Sequence, residues 1–250
     1  MSNNPSNAKR WYGHGLPYLD PKPVPGHLLV IEGTDGVGRS TQIDLLSRWL
    51  ELEGYAVSNT GLTRSPLLYE TITEAKAGHQ LTPMTFSLLY AADFADRLEH
   101  EILPALQAGF IVIADRYMYT AFARNAVMGS DPEWTHEIFG MALVPDIVLY
   151  LEIDVDTLVP RVVHGKGMDY WESGMHLALS SDIFDSFRNY QRRLITEYNR
   201  LAREFGFITV DARCPVDEIQ AELRHHVSNY LRRPHDAAAE SEGNVPVRKE

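Results

Sequence analysis

Cysteine is nearly missing from this chain. Cys214 stands alone among 250 residues, so no internal disulfide can form and the fold must rest on its core; a reducing compartment suits it. Long apolar runs are missing too. No stretch reaches the ~20 residues of a membrane-spanning helix, and the opening MSNNPSNAKRWYG has no apolar core of a signal peptide. A soluble, cytoplasmic chain with no membrane partner is expected. Positive charge is short: 23 Lys and Arg stand against 34 Asp and Glu, a formal net charge of -11. Such a surface repels phosphate backbones, so nucleic acid is not an expected partner. A local basic pocket for a small nucleotide remains allowed. What is present is enough apolar residue, 44%, for one sizeable core.

Residues 1–26 are rich in Asn, Gly and Pro and read as an extension outside the core, mobile or draped over it. The tail over 232–250 reads as disordered. Between them, HLLVIEG, YAVSNT, GFIVIADR, DIVLYLEI and GFITVDA are short β-branched runs bounded by Gly or Asp, the pattern of strands covered on both faces. Longer amphipathic stretches separate them. One starts at STQIDLL, with Ile43, Leu46 and Leu50 on one face and Gly54 as a stop. A second runs over TPMTFSLLYAADFADRLEHEILPALQAG, with Pro104 predicting a bend or a new start. A third is capped by Ser181 or Asp182, and a fourth begins at PVDEIQ. Strand alternating with helix predicts parallel βαβ units in one α/β domain over 27–231.

The stretch GTDGVGRST, Gly33 to Thr41, nearly satisfies the phosphate-loop pattern G-x-x-x-x-G-K-[ST]. An apolar strand precedes it and an amphipathic helix comes after, the context the motif needs. Gly33, Gly36 and Gly38 let the backbone turn so that the N–H groups of this segment, with Thr34, Asp35 and Val37, face phosphate oxygens at a helix N-terminus. Ser40 would ligate Mg²⁺. The expected lysine is absent: Arg39 holds its place. Arginine keeps the charge but is planar and bulkier, so this residue alone is compatible with a slower kinase, a kinase of shifted geometry or a protein that only binds.

Three further residues sit at strand ends, where ligands of open α/β sheets bind. Asp115 could hold Mg²⁺ through water or orient an acceptor, Arg116 could grip phosphate, and Arg64 of NTGLTRSP could complete an anion clamp.

Together VIEGTDGVGRSTQ, TRSP, LLYAAD, IADRY and VPDIVLYLEID, in this order, resemble the thymidylate kinase family of P-loop nucleoside monophosphate kinases. The resemblance implies a three-layer fold with a five-stranded parallel sheet flanked by helices, ATP as donor, Mg²⁺, a nucleoside monophosphate as acceptor, and in many members a homodimer. It implies that Asp35 contacts the acceptor's sugar or its phosphate environment, that Arg64 and Arg116 hold its phosphate, that Asp115 serves the metal water, and that Tyr90 stacks on the base.

The chain also departs from the family. Phe94 stands where the family has a base-reading arginine, and Arg97, one turn later, would either replace it or face solvent. Arg124 and Asn125 stand where a Tyr–Gln pair is usual. The phosphate machinery is kept while base recognition is rebuilt. A lid is expected at about 164–180, with Arg161 and Lys166 supplying charge and Tyr170 in place of a basic residue. The expected reaction is phosphoryl transfer from ATP, with Arg39, Asp115, Arg116 and Arg161 at the reacting groups and deoxythymidine monophosphate (dTMP) as the leading acceptor. Another phosphorylated acceptor and a regulatory protein that binds without turnover are the alternatives.

Overall fold

The computed structural model describes residues 9–18, 24–78, 81–165 and 167–232. The expected disordered tail from 233 onward and Lys166 of the expected lid lie outside the described residues, as do 1–8 and 19–23 of the extension.

Five strands form: β1 (His27–Gly33), β2 (Val57–Gly61), β3 (Ile111–Asp115), β4 (Ile147–Glu152) and β5 (Ile208–Asp211). They pair in the order β2-β3-β1-β4-β5, every pair parallel. This is the expected three-layer α/β fold. The helices are α1 (Arg39–Leu52), α2 (Tyr69–Ala77), α3 (Pro83–Arg97), α4 (Leu103–Gln107), α5 (Met118–Val127), α6 (Pro132–Ile138), α7 (Val155–His164), α8 (Ile183–Phe205) and α9 (Val216–Leu231). A π turn over Leu98–Ile102 joins α3 to α4. It lies just before Pro104, whose missing N–H cannot serve a continuous helix. Asp182, not Ser181, caps α8 by accepting from the Asp185 N–H.

Strand periodicity divides the core. Leu28 and Val30 of β1 face one layer with Phe86, Phe94, Phe122 and Leu194 of α3, α5 and α8. Leu29 and Ile31 face the other with Leu46, Leu50, Leu158 and Leu223 of α1, α7 and α9. Glu32 continues the first set and is fully buried.

Part of the N-terminal extension packs on this core. The Tyr12 N–H donates to the Ala142 carbonyl at 2.7 Å, the Val144 N–H donates to the Arg10 carbonyl at 2.8 Å, and Lys9 pairs with Asp146. The Tyr12 ring lies 5.6 Å from that of Phe122 and 6.0 Å from that of Phe205. These aromatic side chains tie residues 9–18 to α5 and α8. Tyr12→Ala is therefore expected to cost about 1–3 kcal/mol, seen as a lower Tm, while Tyr12→Phe, which keeps the ring and loses the hydroxyl bond to His136, costs about 1 kcal/mol. Equal melting of Tyr12→Ala and the unaltered chain would refute the contact.

Candidate active site

The sheet's register lines up three strand ends. Ile31 of β1 and Gly61 of β2 both lie opposite Asp115 of β3. The segments after these strands therefore project into one space: the glycine loop after β1, Thr63–Ser65 after β2, and Arg116 after β3.

The glycine loop turns through left-handed backbone positions. Gly36 and Gly38 have φ of 81° and 108°, left-handed values that glycine adopts without strain, and a Cβ on Gly36 would lie 2.4 Å from the Val162 side chain. Gly38 begins α1 with no side-chain cap, and no acidic residue occupies the first turn. The first N–H groups of α1 and the positive end of its dipole are thus left for an anion. Ser40 and Thr41 are exposed beside them. A cleft of about 490 Å³ adjoins the loop, lined by Gly36, Gly38, Thr41, Arg161, Cys214 and Ile219 among others. That is the size of a small-ligand site. An uncapped helix end, an open hydroxyl at Ser40 and a nearby carboxylate at Asp115 form a donor set suited to a nucleotide triphosphate with its Mg²⁺.

Arg39 folds back into the loop. Its Nε donates to Asp115 Oδ1 at 2.7 Å, and its Nη1 donates to the carbonyls of Gly33, at 2.7 Å, and Thr34. A lysine ammonium could not span these groups, because the planar fork separates the donors. Asp115 Oδ2 accepts from Arg64 Nη2 at 3.1 Å. Arg64 packs closely over Gly61, where a Cβ would lie 3.0 Å from its guanidinium. Burial works to raise the Asp115 pKa, but Arg39 first, then Arg116 and Arg64, outweigh it and hold the carboxyl below its ordinary 3.8.

Asp35 is the second carboxylate. It accepts from Arg116 Nη2 at 2.6 Å and Arg124 Nη2 at 3.1 Å, with Arg39 at 3.8 Å. Arg124 also donates to the Tyr90 hydroxyl at 3.2 Å, its guanidinium 5.8 Å from the ring centre. Arg116 sits at φ 71°, an uncommon conformation for a residue with a side chain. It is held there by its N–H on the Ile31 carbonyl and by Nη1 on the hydroxyls of Thr120 and Tyr198, at 3.1 and 3.0 Å. Beneath this turn lies Glu32, which sequence reasoning overlooked; its signal was a carboxylate inside an otherwise apolar strand. Burial raises its pKa against the opposing pull of Arg116 and its hydrogen bonds.

Several expected acceptor residues stand elsewhere. Phe94 has no exposed surface and packs edge-on against Tyr117 and Phe139; a side chain within the apolar layer cannot read a base. Arg97 neither replaces the missing arginine nor meets solvent. It is buried against Asp93 at 3.0 Å and donates to Thr60 Oγ1, and Asp93 accepts the Thr63 and Ser65 N–H groups at 2.9 Å. Arg97 thus supports the loop that carries Arg64. Asn125 is buried, accepting from Ser87 at 2.6 Å and donating to Thr135 at 3.4 Å. Tyr90 is 3% exposed and stacks on Phe86 at 4.3 Å, which stacks on Trp171 at 5.5 Å; its ring has no free face in this conformation. Trp171 of the expected lid donates to the Lys76 carbonyl at 2.9 Å. Arg161 lies on α7 at the cleft wall, donating to the carbonyl of Ala212 at 2.7 Å. That carbonyl on the β5–α9 loop holds it there, and the Asp35–Asp115 cluster does not include it.

Comparison with known proteins agrees with this architecture. A family model described as "Thymidylate kinase" matches residues 31–223. "Probable thymidylate kinase 2" of Saccharolobus solfataricus is 35% identical over 208 residues, covering 82% of this chain and 97% of that protein. "Probable thymidylate kinase" of Pyrococcus abyssi is 30% identical over 208 residues, covering 79% and 94%, and that of Thermococcus kodakarensis is 33% identical over 189 residues, covering 71% and 84%. The family match takes in the end of β1, the glycine loop and the four other strands, and with the parallel sheet and clustered strand-end arginines it shows that this chain belongs to the thymidylate kinase family.

Proposed function

We propose that the chain transfers the γ-phosphoryl group of ATP to dTMP. The observation that carries this reading is the convergence of four guanidinium groups, Arg39, Arg64, Arg116 and Arg124, on two carboxylates, Asp35 and Asp115, beside an uncapped helix N-terminus. The cluster has spare positive charge and spare N–H donors for phosphate. The Saccharolobus and Pyrococcus relatives bear the name of probable thymidylate kinases, which supports dTMP as the acceptor.

In this reading the loop N–H groups and the α1 N-terminus hold the donor phosphates, and Arg39 places its charge at the back of the same loop. Arg161 borders the cleft that takes the rest of the donor. Arg64 and Arg116 hold the acceptor phosphate, with Arg124 beside them. Ser40 and, through water, Asp115 would hold Mg²⁺, which neutralises phosphate charge when bound. An acceptor phosphate oxygen attacks the γ-phosphorus in line, the new O–P bond forms, and the bond to ADP breaks. The protein supplies position and charge, and no side-chain nucleophile is needed.

ADP release with ATP, Mg²⁺ and a panel of nucleoside monophosphates tests the proposal. Turnover with dTMP is expected. Turnover only with another acceptor would reassign the substrate, and ATP binding without any turnover would overturn the kinase reading. In the same assay Arg39→Ala is expected to lose about 10²–10³-fold in kcat, and Arg39→Lys to retain more activity than Arg39→Ala because it keeps the charge.

Asp115 adds a pH prediction. Its folded pKa is depressed below 3.8, so the stability it contributes is present above that value and is lost as pH falls through the folded one. The Tm difference between the unaltered chain and Asp115→Asn is expected to be flat from about pH 8 to 5 and to shrink below about pH 4. A difference independent of pH would refute the ion pair.

A further inference from the structure

Glu32 is the one buried carboxylate on β1, and the phosphoryl-transfer scheme does not use it. Its three bonds all go to the turn after β3. Oε1 accepts the N–H groups of Tyr117 and Thr120 at 2.9 and 3.2 Å, and Oε2 accepts the Thr120 hydroxyl at 2.7 Å. Helix α5 has no side-chain cap from its own N-cap residue, Tyr117. Glu32, from a different strand, takes over that duty for the first turn.

The Thr120 hydroxyl extends the contact outward. It lies 2.8 Å from the Tyr198 hydroxyl, and Arg116 Nη1 donates to both oxygens. Both carboxylate oxygens of Glu32 act as acceptors in this arrangement. Thr120 must then turn its proton to Glu32, leaving its oxygen to accept from Tyr198 and from Arg116. Tyr198 in turn gives its proton to Thr120 and accepts from Arg116. Every donor and acceptor in this hydroxyl chain is matched only in this direction. Reverse it, and Thr120 donates to Tyr198, whose own proton then has no partner in the network.

We propose that Glu32 is a positioning residue for the acceptor phosphate: by fixing the direction of the Tyr198–Thr120 hydroxyl chain and capping α5, it holds Arg116 in its left-handed turn and aims its guanidinium at the acceptor. The proposal rests on the kinase function, in which Arg116 holds that phosphate. Glu32 touches no substrate itself. Its effect runs through Thr120 and the backbone of Tyr117 to Arg116, and from Arg116 to Asp35.

Glu32→Gln tests this, because the amide keeps the size and one acceptor but presents N–H to a hydroxyl that must donate. Thr120→Val is the second variant; it breaks the hydroxyl chain with a side chain of the same shape and leaves the carboxylate in place, so it carries the test if Glu32→Gln does not fold. Each is expected to raise the KM for dTMP about tenfold, the size of one lost charge-assisted hydrogen bond, with the Kd for ATP unchanged. The double variant is expected to be no weaker than Glu32→Gln alone, since both changes cut one chain. A cap with only a structural role would lower Tm and leave the dTMP KM where it was. That result in folded variants overturns the positioning role while the kinase reading stands. An unaltered chain that phosphorylates no acceptor overturns both.

Discussion

Everything at this site depends on two carboxylates, Asp35 and Asp115, held among four arginines where parallel strands end. Neither carboxylate could be buried to this degree alone, and the guanidinium groups could not crowd together without them. Each arginine comes from a different place: Arg39 from the first turn of α1, Arg64 from the loop after β2, Arg116 from the turn after β3, Arg124 from α5. The ion pairs therefore pin the glycine loop, two strand ends and a helix to one another. The sheet register makes this possible by setting Ile31, Asp115 and Gly61 side by side.

Arg39 takes on a different meaning in this setting. As a letter in a motif it is a lysine replaced. In the fold it is a brace that reaches the Gly33 carbonyl behind the loop and the Asp115 carboxylate at the end of β3. Its charge stays beside the phosphate loop, and its planar fork adds a structural link that an ammonium group cannot make.

A second, quieter layer of support lies beneath the cluster. The buried Arg97–Asp93 pair holds the backbone that carries Arg64, and Glu32 holds the turn that carries Arg116. The aromatic stack of Tyr90, Phe86 and Trp171 joins α3 to the segment after α7. In the first two cases a buried polar residue supports the segment that carries an arginine of the Asp35–Asp115 cluster, a division of labour that suits a site built to tight tolerances.

The parallel sheet could be read in the chain because its central strands β1, β3 and β4 are largely apolar on both faces and the strands are bounded by Gly or Asp. The phosphate loop could be read because its glycines fall between a strand and a helix. Residues that face each other across distant segments could not. Phe94 and Arg97 lie on a helix whose polar and apolar letters both turn inward, since an arginine paired with a buried aspartate can be buried as completely as a phenylalanine. Asn125 looked like a base reader, but its amide is satisfied by Ser87 and Thr135 from two other helices. The sequence by itself determined the sheet, the loop and the supply of arginines, because local periodicity and turn chemistry encode them. Only the tertiary structure decided which arginines gather at Asp35 and Asp115 and which serve the frame, because that depends on how partners far apart in the chain satisfy one another's charge and hydrogen bonds.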